Sequence, residues 1–293
     1  MEKHRYPLSR LTSLGVGGAA DRLVFPETAE ELAAELRRAS DDDLPVRALG
    51  GGKNLLVDDR GVPGAVISLE RMRRLTVRGS GVTAGAGVPT GTVVSRTVRN
   101  GLDGLLCLVG VPGTVGGAVR MNAGGVHGSV GECVREVRGL TAGGEPFTFG
   151  PEACGFGYRT SRLAGTFVTE VVFELERSEE DLSRRVREIY AAKRFAQPLE
   201  AATAGCMFRN PGLPGGESAG KLIDLAGLKG HVAGGARISP KHANFVENRG
   251  DATSMDIGTL VATARSRVFA EFGVELELEV EIWSREESAL LVA

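Results

Sequence analysis

Apolar and polar positions along the chain follow two periods, and together these predict most of its elements. The longest helical pattern covers 253–272, where Ile257, Leu260, Val261, Ala264, Val268 and Phe272 recur at steps of three and four and Gly273 marks the stop. Thr28 and Glu31 have capping-box spacing at the head of a second amphipathic stretch, 28–38. Pro89 suits the first turn of a helix running to about Asn100, with Gly101 as its stop. A charged amphipathic stretch from Ser178 to about Arg194 and a shorter one at 217–227 complete the predicted helices. Pro45–Leu49, Gly64–Leu69 and 82–87 read as short buried strands, and 133–149 and 166–176 as strands around the turn Gly143-Gly144. Alternation is strictest at 274–282, where Leu276, Leu278, Val280 and Ile282 face one way and Glu275, Glu277, Glu279 and Glu281 the other, which predicts a strand. Helices and strands mix throughout, leaving α+β and α/β both open, and the Pro- and Gly-rich loop 195–216 after the 178–194 helix is the predicted domain boundary.

Composition narrows the function classes. The chain has 293 residues, enough for about two domains. Lys and Arg number 35 against 37 Asp and Glu, so no global basic field exists to hold a nucleic-acid backbone, and aromatics at 5% make base-stacking platforms improbable. No apolar stretch reaches the roughly 18 residues of a membrane helix, and the N-terminus MEKHRYPLSR has no secretory character. The cysteines at 107, 133, 154 and 206 contain no Cys-x-x-Cys pair, which argues against a metal site or a disulfide framework and for a reducing cytoplasm.

The outlier is glycine, 42 residues, about twice its usual share of ~7%. Two runs invite a phosphate reading. Gly50-Gly51-Gly52-Lys53-Asn54 follows a strand but is not a P-loop, because Arg47 and Asn54 stand where that motif needs Gly and Ser or Thr. Gly110-Val111-Pro112-Gly113-Thr114-Val115-Gly116-Gly117-Ala118 holds no G-x-G-x-x-G, and the relaxed G-x-G-x-x-A at Gly15–Ala20 follows a poor strand. Consecutive glycines expose backbone N–H groups that cradle an anion, or they simply make tight turns.

The order of several modest motifs is more specific than any one of them. Ser13-Leu14-Gly15-Val16-Gly17-Gly18, Leu49 to Val57, Ala84-Gly85-Ala86-Gly87, Gly104-Leu105, Gly110 to Ala118 and Met121-Asn122-Ala123-Gly124 come in sequence. Gly157-Tyr158-Arg159-Thr160-Ser161, Gln197-Pro198, Ala204 to Pro211, Gly234-Gly235-Ala236, Lys241-His242-Ala243-Asn244-Phe245 and Phe272 to Val280 follow. Over about residues 10–285 the chain resembles the UDP-N-acetylenolpyruvoylglucosamine reductase family of peptidoglycan precursor synthesis. The short connection from Ser161 to Phe167 resembles the family's shorter, type II form. The resemblance implies an α+β fold: a two-lobed FAD-binding domain of the vanillyl-alcohol-oxidase (PCMH) type, with lobes at 1–70 and 71–194, then a C-terminal α/β substrate-binding domain at 195–293. It implies non-covalent FAD, NADPH as reductant and a UDP-sugar substrate; composition leads us to expect a cytoplasmic protein with no metal, membrane or nucleic-acid partner, and the oligomeric state stays open, with a monomer the expectation.

Site residues follow from the same resemblance. Gly50, Gly51, Gly52, Lys53, Asn54, Gly110, Pro112, Gly113, Thr114, Gly116, Gly117, Asn122 and Ala123 match cofactor-binding positions. Tyr158, Arg194, Asn210 and His242 match substrate-contacting ones. Arg159, Cys206 and Glu279 match the catalytic set. An arginine stays cationic and stabilises an enolate. A thiol of ordinary pKa, about 8.5, is protonated at neutral pH and donates a proton. A carboxyl kept neutral by burial among like charges donates a hydrogen bond. Lys53 stands where the family usually has Ser, Cys206 where it has Ser, and Leu278 where it has Pro. His4, His127 and His231, and Cys107, Cys133 and Cys154, read as ordinary structural or surface residues.

Overall fold

The computed structural model describes residues 1–285, and the chain divides into two compact units. Met1–Lys3, Arg22–Gly51 and Gly64–Lys193 form the first; His4–Asp21, Gly52–Pro63 and the described residues from Arg194 onward form the second.

The first unit is organised by a five-stranded antiparallel sheet in the order Pro146–Phe149, Val134–Leu140, Phe167–Glu174, Gly81–Gly85, Leu75–Arg78. Val137, Val171 and Ala84 lie opposite one another across its centre and are fully buried, as the period-2 pattern requires of the core face. The 133–149 stretch thus splits into two strands around its glycine turn. Val46–Leu49 and Val62–Ser68 pair in parallel, Ala48 opposite Ile67.

Three helices of this unit form from local signals. Thr28 caps the helix Ala29–Asp41 by accepting from the Glu31 N–H, while the Glu31 carboxylate reaches one residue further back, to the Glu27 N–H. Leu32 and Leu36 carry its apolar face into the core. Thr90–Arg99 starts after Pro89 and stops before Gly101, which adopts φ +65°. The charged helix spans Leu182–Ala196, starting four residues later than the charge pattern predicts.

The second unit has its own core, in which the long helix Ser254–Phe272 packs Ile257, Leu260, Val261 and Val268 beside Ile223, Phe208 and Leu276. A capping box between Thr253 and Asp256 starts that helix, and Gly273 at φ +67° ends it. Ala219–Leu225, capped by Ser218, is the second helix. Val232–Ala233, Ala236–Ile238 and Val246–Asn248 make a small antiparallel sheet. Leu55–Val57 pairs in parallel with Glu281–Trp283.

The strand predicted over 274–282 is corrected. Leu276 and Val280 are buried and Glu275 and Glu277 exposed, but Leu278, Glu279, Glu281 and Ile282 are all half-buried, so the alternation holds only in part, and only Glu281–Trp283 joins a ladder. The rest is extended chain attached to residues 207–209 through Arg209 N–H to Glu277 O (2.9 Å) and Glu279 N–H to Met207 O (2.8 Å). Among the described residues no helix is long and apolar enough to cross a membrane, and no cluster of His, Cys, Asp and Glu could hold a metal.

Candidate active site

The strand Val46–Leu49 delivers the first glycine run. At Gly50 an added Cβ would lie 2.8 Å from the Thr114 hydroxyl and 3.9 Å from the Gly117 nitrogen, so the two glycine runs lie against each other there and only a glycine fits. Gly52 adopts φ +59°, and a Cβ on it would stand 2.0 Å from the Leu11 carbonyl oxygen. Its own carbonyl accepts from the Ser13 N–H at 2.9 Å. Lys53 is exposed.

The second run is held by side chains from two helices. Lys193 Nζ donates to Val109 O (2.6 Å), Thr90 Oγ1 to Val111 O (2.6 Å), and the Thr90 N–H to Gly113 O (3.1 Å). Burial pushes the Lys193 ammonium below its usual range, and the charge of Arg159 adds to the fall. Thr114 precedes the short helix Val115–Arg120 in the usual capping conformation, yet its hydroxyl does not cap. That oxygen is buried and has no hydrogen-bond partner. A buried hydroxyl left so costs free energy, which an acceptor atom of a ligand placed beside it would recover. A pyrophosphate, with its ring of acceptor oxygens, suits a glycine cradle carrying one such donor. The residues present therefore fit the diphosphate of a dinucleotide.

Arg159 sits in the turn Gly157–Thr160, whose ends exchange backbone hydrogen bonds of 3.0 and 3.3 Å. It adopts φ +54°, its Nη2 donates to Gly124 O at 2.8 Å, and its guanidinium lies 5.5 Å from the ring centre of the exposed Tyr158. Asn122 joins this turn to the second run, donating from Nδ2 to Gly157 O and accepting at Oδ1 from the Gly131 N–H, both at 2.9 Å.

Cys206 and Glu279 belong to the second unit, and the structure brings them onto neighbouring backbone. The segment 206–208 runs between two others. On one side Cys206 bridges to Phe245, and Met207 N–H donates to Asn244 O. On the other, Phe208 bridges to Leu278, and Glu279 N–H bonds to Met207 O. The Asn244 side chain completes the arrangement, accepting from Phe208 N–H (2.9 Å) and donating to Phe208 O (2.7 Å). Asn54 Nδ2 donates to Glu279 O at 2.9 Å. All four cysteines are thiols; burial pushes Cys107 up to about 12 and Cys133 up to about 11, and raises Cys154. Cys206 is half-buried.

The matched substrate positions are less uniform. Asn210 is exposed and its Oδ1 accepts from the first N–H of Ala219–Leu225 at 3.1 Å. His242 stands edge-on to Phe245 at 4.9 Å, and burial pushes its pKa below the ordinary imidazole value. Arg194 pairs with Glu200 at 2.7 Å, both well exposed, so the pair itself contributes little. Thr90 and Lys193 were not among the sequence candidates, because nothing in a lone Thr or Lys shows which distant carbonyl it will meet.

Comparison with known proteins places the chain. Residues 20–150 match the family model of an FAD binding domain, and 197–283 match that of the UDP-N-acetylenolpyruvoylglucosamine reductase C-terminal domain. UDP-N-acetylenolpyruvoylglucosamine reductase 2 of Symbiobacterium thermophilum is 42% identical over 281 residues, covering 94% of this chain and 90% of that protein. The reductase of Desulfosudis oleivorans is 41% identical, covering 94% and 92%. The crystal structure of the enzyme from Thermus caldophilus superposes with a TM-score of 0.83 at 41% identity, covering 97% of this chain and all of that one. The chain belongs to the UDP-N-acetylenolpyruvoylglucosamine reductase family.

Proposed function

We propose that this chain reduces UDP-N-acetylglucosamine enolpyruvate to UDP-N-acetylmuramate, with non-covalent FAD as cofactor and NADPH as reductant, in cytoplasmic peptidoglycan precursor synthesis. The observation that carries the reading is a relationship above 40% identity over nearly the whole chain, joined to two abutting glycine runs and a buried, unpartnered Thr114 hydroxyl. With FAD bound, the chemistry supplied is hydride transfer, from NADPH and then to the terminal carbon of the substrate's vinyl group. Residues 1–70 and 71–194 act as the two lobes of the FAD domain, and 195–293 as the substrate domain.

Gly50, Gly51, Gly52, Gly113 and Gly117 let backbone approach the pyrophosphate, and Thr114 donates to it. Arg159 offsets the negative charge that builds on the carbon next to the hydride acceptor and spreads into the substrate carboxylate. The Cys206 thiol gives its proton to that carbon, completing the lactyl group. Glu279 hydrogen-bonds the same developing charge. Arg194 meets the substrate diphosphate, and Tyr158, Asn210 and His242 orient the sugar. The test is anaerobic. Purified protein should be yellow, NADPH should bleach it, and the enolpyruvyl substrate should restore the colour; protein that NADPH bleaches but substrate leaves bleached refutes the assignment.

A further inference from the structure

Asn54 and Asn122 both lie in glycine-rich runs matched to the cofactor, yet both spend their side-chain amides on backbone that carries a catalytic residue. Asn122 is buried and adopts φ +44°, a conformation Asn tolerates better than other non-glycine residues. Its donor holds Gly157 O and its acceptor holds Gly131 N–H, so one planar amide uses both ends to fix two loops. Gly157 opens the turn in which Arg159 is held at φ +54°, and Arg159 Nη2 returns to Gly124 O, two residues beyond Asn122. Two left-handed residues, Asn122 and Arg159, linked through Gly157 and Gly124 rather than directly, persist only where surroundings fix them. Asn54 does the equivalent work for Glu279. The Glu279 N–H is held by Met207 O, and its carbonyl by Asn54 Nδ2 at 2.9 Å, so both peptide groups flanking that side chain are pinned. Asn54 O in turn accepts from Glu281 N–H at 3.1 Å.

We propose that Asn122 and Asn54 are positioning residues for the reaction, Asn122 acting through Arg159 and Asn54 through Glu279. This rests on the function proposed above. Both act on the step in which the substrate is reduced, and neither determines FAD affinity.

The test uses FAD-loaded N122G and N54D, each alone and combined with R159A and E279A respectively. Gly keeps the left-handed backbone of residue 122 without strain and removes only the amide; Asp keeps the size of Asn54 and removes its donor. Three quantities are read: the FAD dissociation constant, the rate of bleaching by NADPH, and the rate of reoxidation by substrate. In each single variant the first two should stay within about threefold of the parent, while reoxidation slows about 10²-fold, the usual consequence of misplacing a reacting group by about 1 Å. In the R159A or E279A background the same substitution should add less than about threefold, because its target is gone. FAD affinity falling tenfold or more, or equal slowing in both backgrounds, overturns the proposal and makes these residues cofactor ligands or general scaffold. N122D, measured alongside, tolerates the left-handed backbone, keeps the acceptor and loses only the donor to Gly157 O, so the outcome stays readable if N122G does not fold. A parent that substrate does not reoxidise refutes the assigned reaction itself, an outcome separate from additivity in an enzyme that turns over.

Discussion

Thr114→Val tests the cofactor cradle through a change of sign. In the structure the Thr114 hydroxyl is buried without a partner and provides no cap to the helix it precedes, so its removal forfeits no capping bond. Val has nearly the same shape, and the extended backbone there, φ −121° and ψ 158°, suits a β-branched residue. A buried hydroxyl without a partner costs about 1–3 kcal/mol, so the apoprotein should gain of that order, a rise of about 2–5 °C in Tm for a chain of this size. With FAD bound the balance reverses. A hydrogen bond to a charged acceptor is worth about 1.5–3 kcal/mol, so the variant should bind FAD about 10- to 100-fold more weakly. Thermal unfolding of flavin-free protein and fluorescence titration with FAD measure the two effects. Thr114→Ser, which keeps the hydroxyl, should match the parent in affinity. A variant with unchanged FAD affinity, or a destabilised apoprotein, would refute the assignment of this oxygen to the ligand.

Four further outcomes follow from the site and its supports. Cys206→Ala should still be bleached by NADPH but reoxidise with substrate about 10²–10⁴-fold more slowly, while Cys206→Ser retains activity; equal rates in the Ala variant and the parent would remove the thiol from the mechanism. Gly52→Ala forces a side chain into φ +59° against the Leu11 carbonyl and should cost at least about 2 kcal/mol in urea unfolding, with an unchanged midpoint counting against this loop geometry. Iodoacetamide at neutral pH should label native Cys206 first, since burial holds Cys107 and Cys133 protonated up to about 12 and about 11 and raises Cys154 too; mass spectrometry showing Cys107 labelled at a comparable rate would contradict this. For His242 the pKa is lowered by burial, so the unfolded chain takes up a proton near pH 6.5 that the folded chain resists. Stability should therefore fall as pH drops through about 6.5 and be unaffected above it, and His242→Gln should flatten that slope by up to about one proton; identical slopes in urea unfolding between pH 7.5 and 5.5 would exclude the effect.

Local signals made much of the fold legible. Thr28, Pro89, Gly101 and Gly273 each act within a few residues of the helix end they fix, so their spacing survives in the sequence. Pairing at long range leaves no such trace. Leu55–Val57 is three apolar residues, too short for any period to register, and becomes a strand only because Glu281–Trp283 lies beside it. Glu2–Pro7 is mostly polar, and no apolar period marks it as the strand it forms. Conversely, the alternation at 275–277 is a burial pattern without a ladder: the segment meets 207–209 through a few bonds and pairs elsewhere only from Glu281. Period 2 reports which side is buried, not what the backbone bonds to.

The same division runs through the site. Glycine runs are visible because backbone approach demands a residue with no Cβ, and that demand is written in composition. Which donor stands between the runs is not, because the Thr114 hydroxyl is set apart only by lacking the cap its position would ordinarily form. Motif membership likewise marks Asn54 and Asn122 without naming the group each serves. An amide has two ends and reaches whatever the fold brings within about 3 Å, here the carbonyls of Glu279 and Gly157. Cys206 and Glu279 are neighbours for a related reason. Asn244, buried, satisfies both polar groups of Phe208, which fixes one edge of the 206–208 segment and leaves the Met207 carbonyl to receive Glu279 on the other. A thiol and a carboxyl whose two backbone segments are joined through Met207 have their spacing set by hydrogen bonds already made in the fold, so in the mechanism proposed for them little conformational entropy is left to lose when they act.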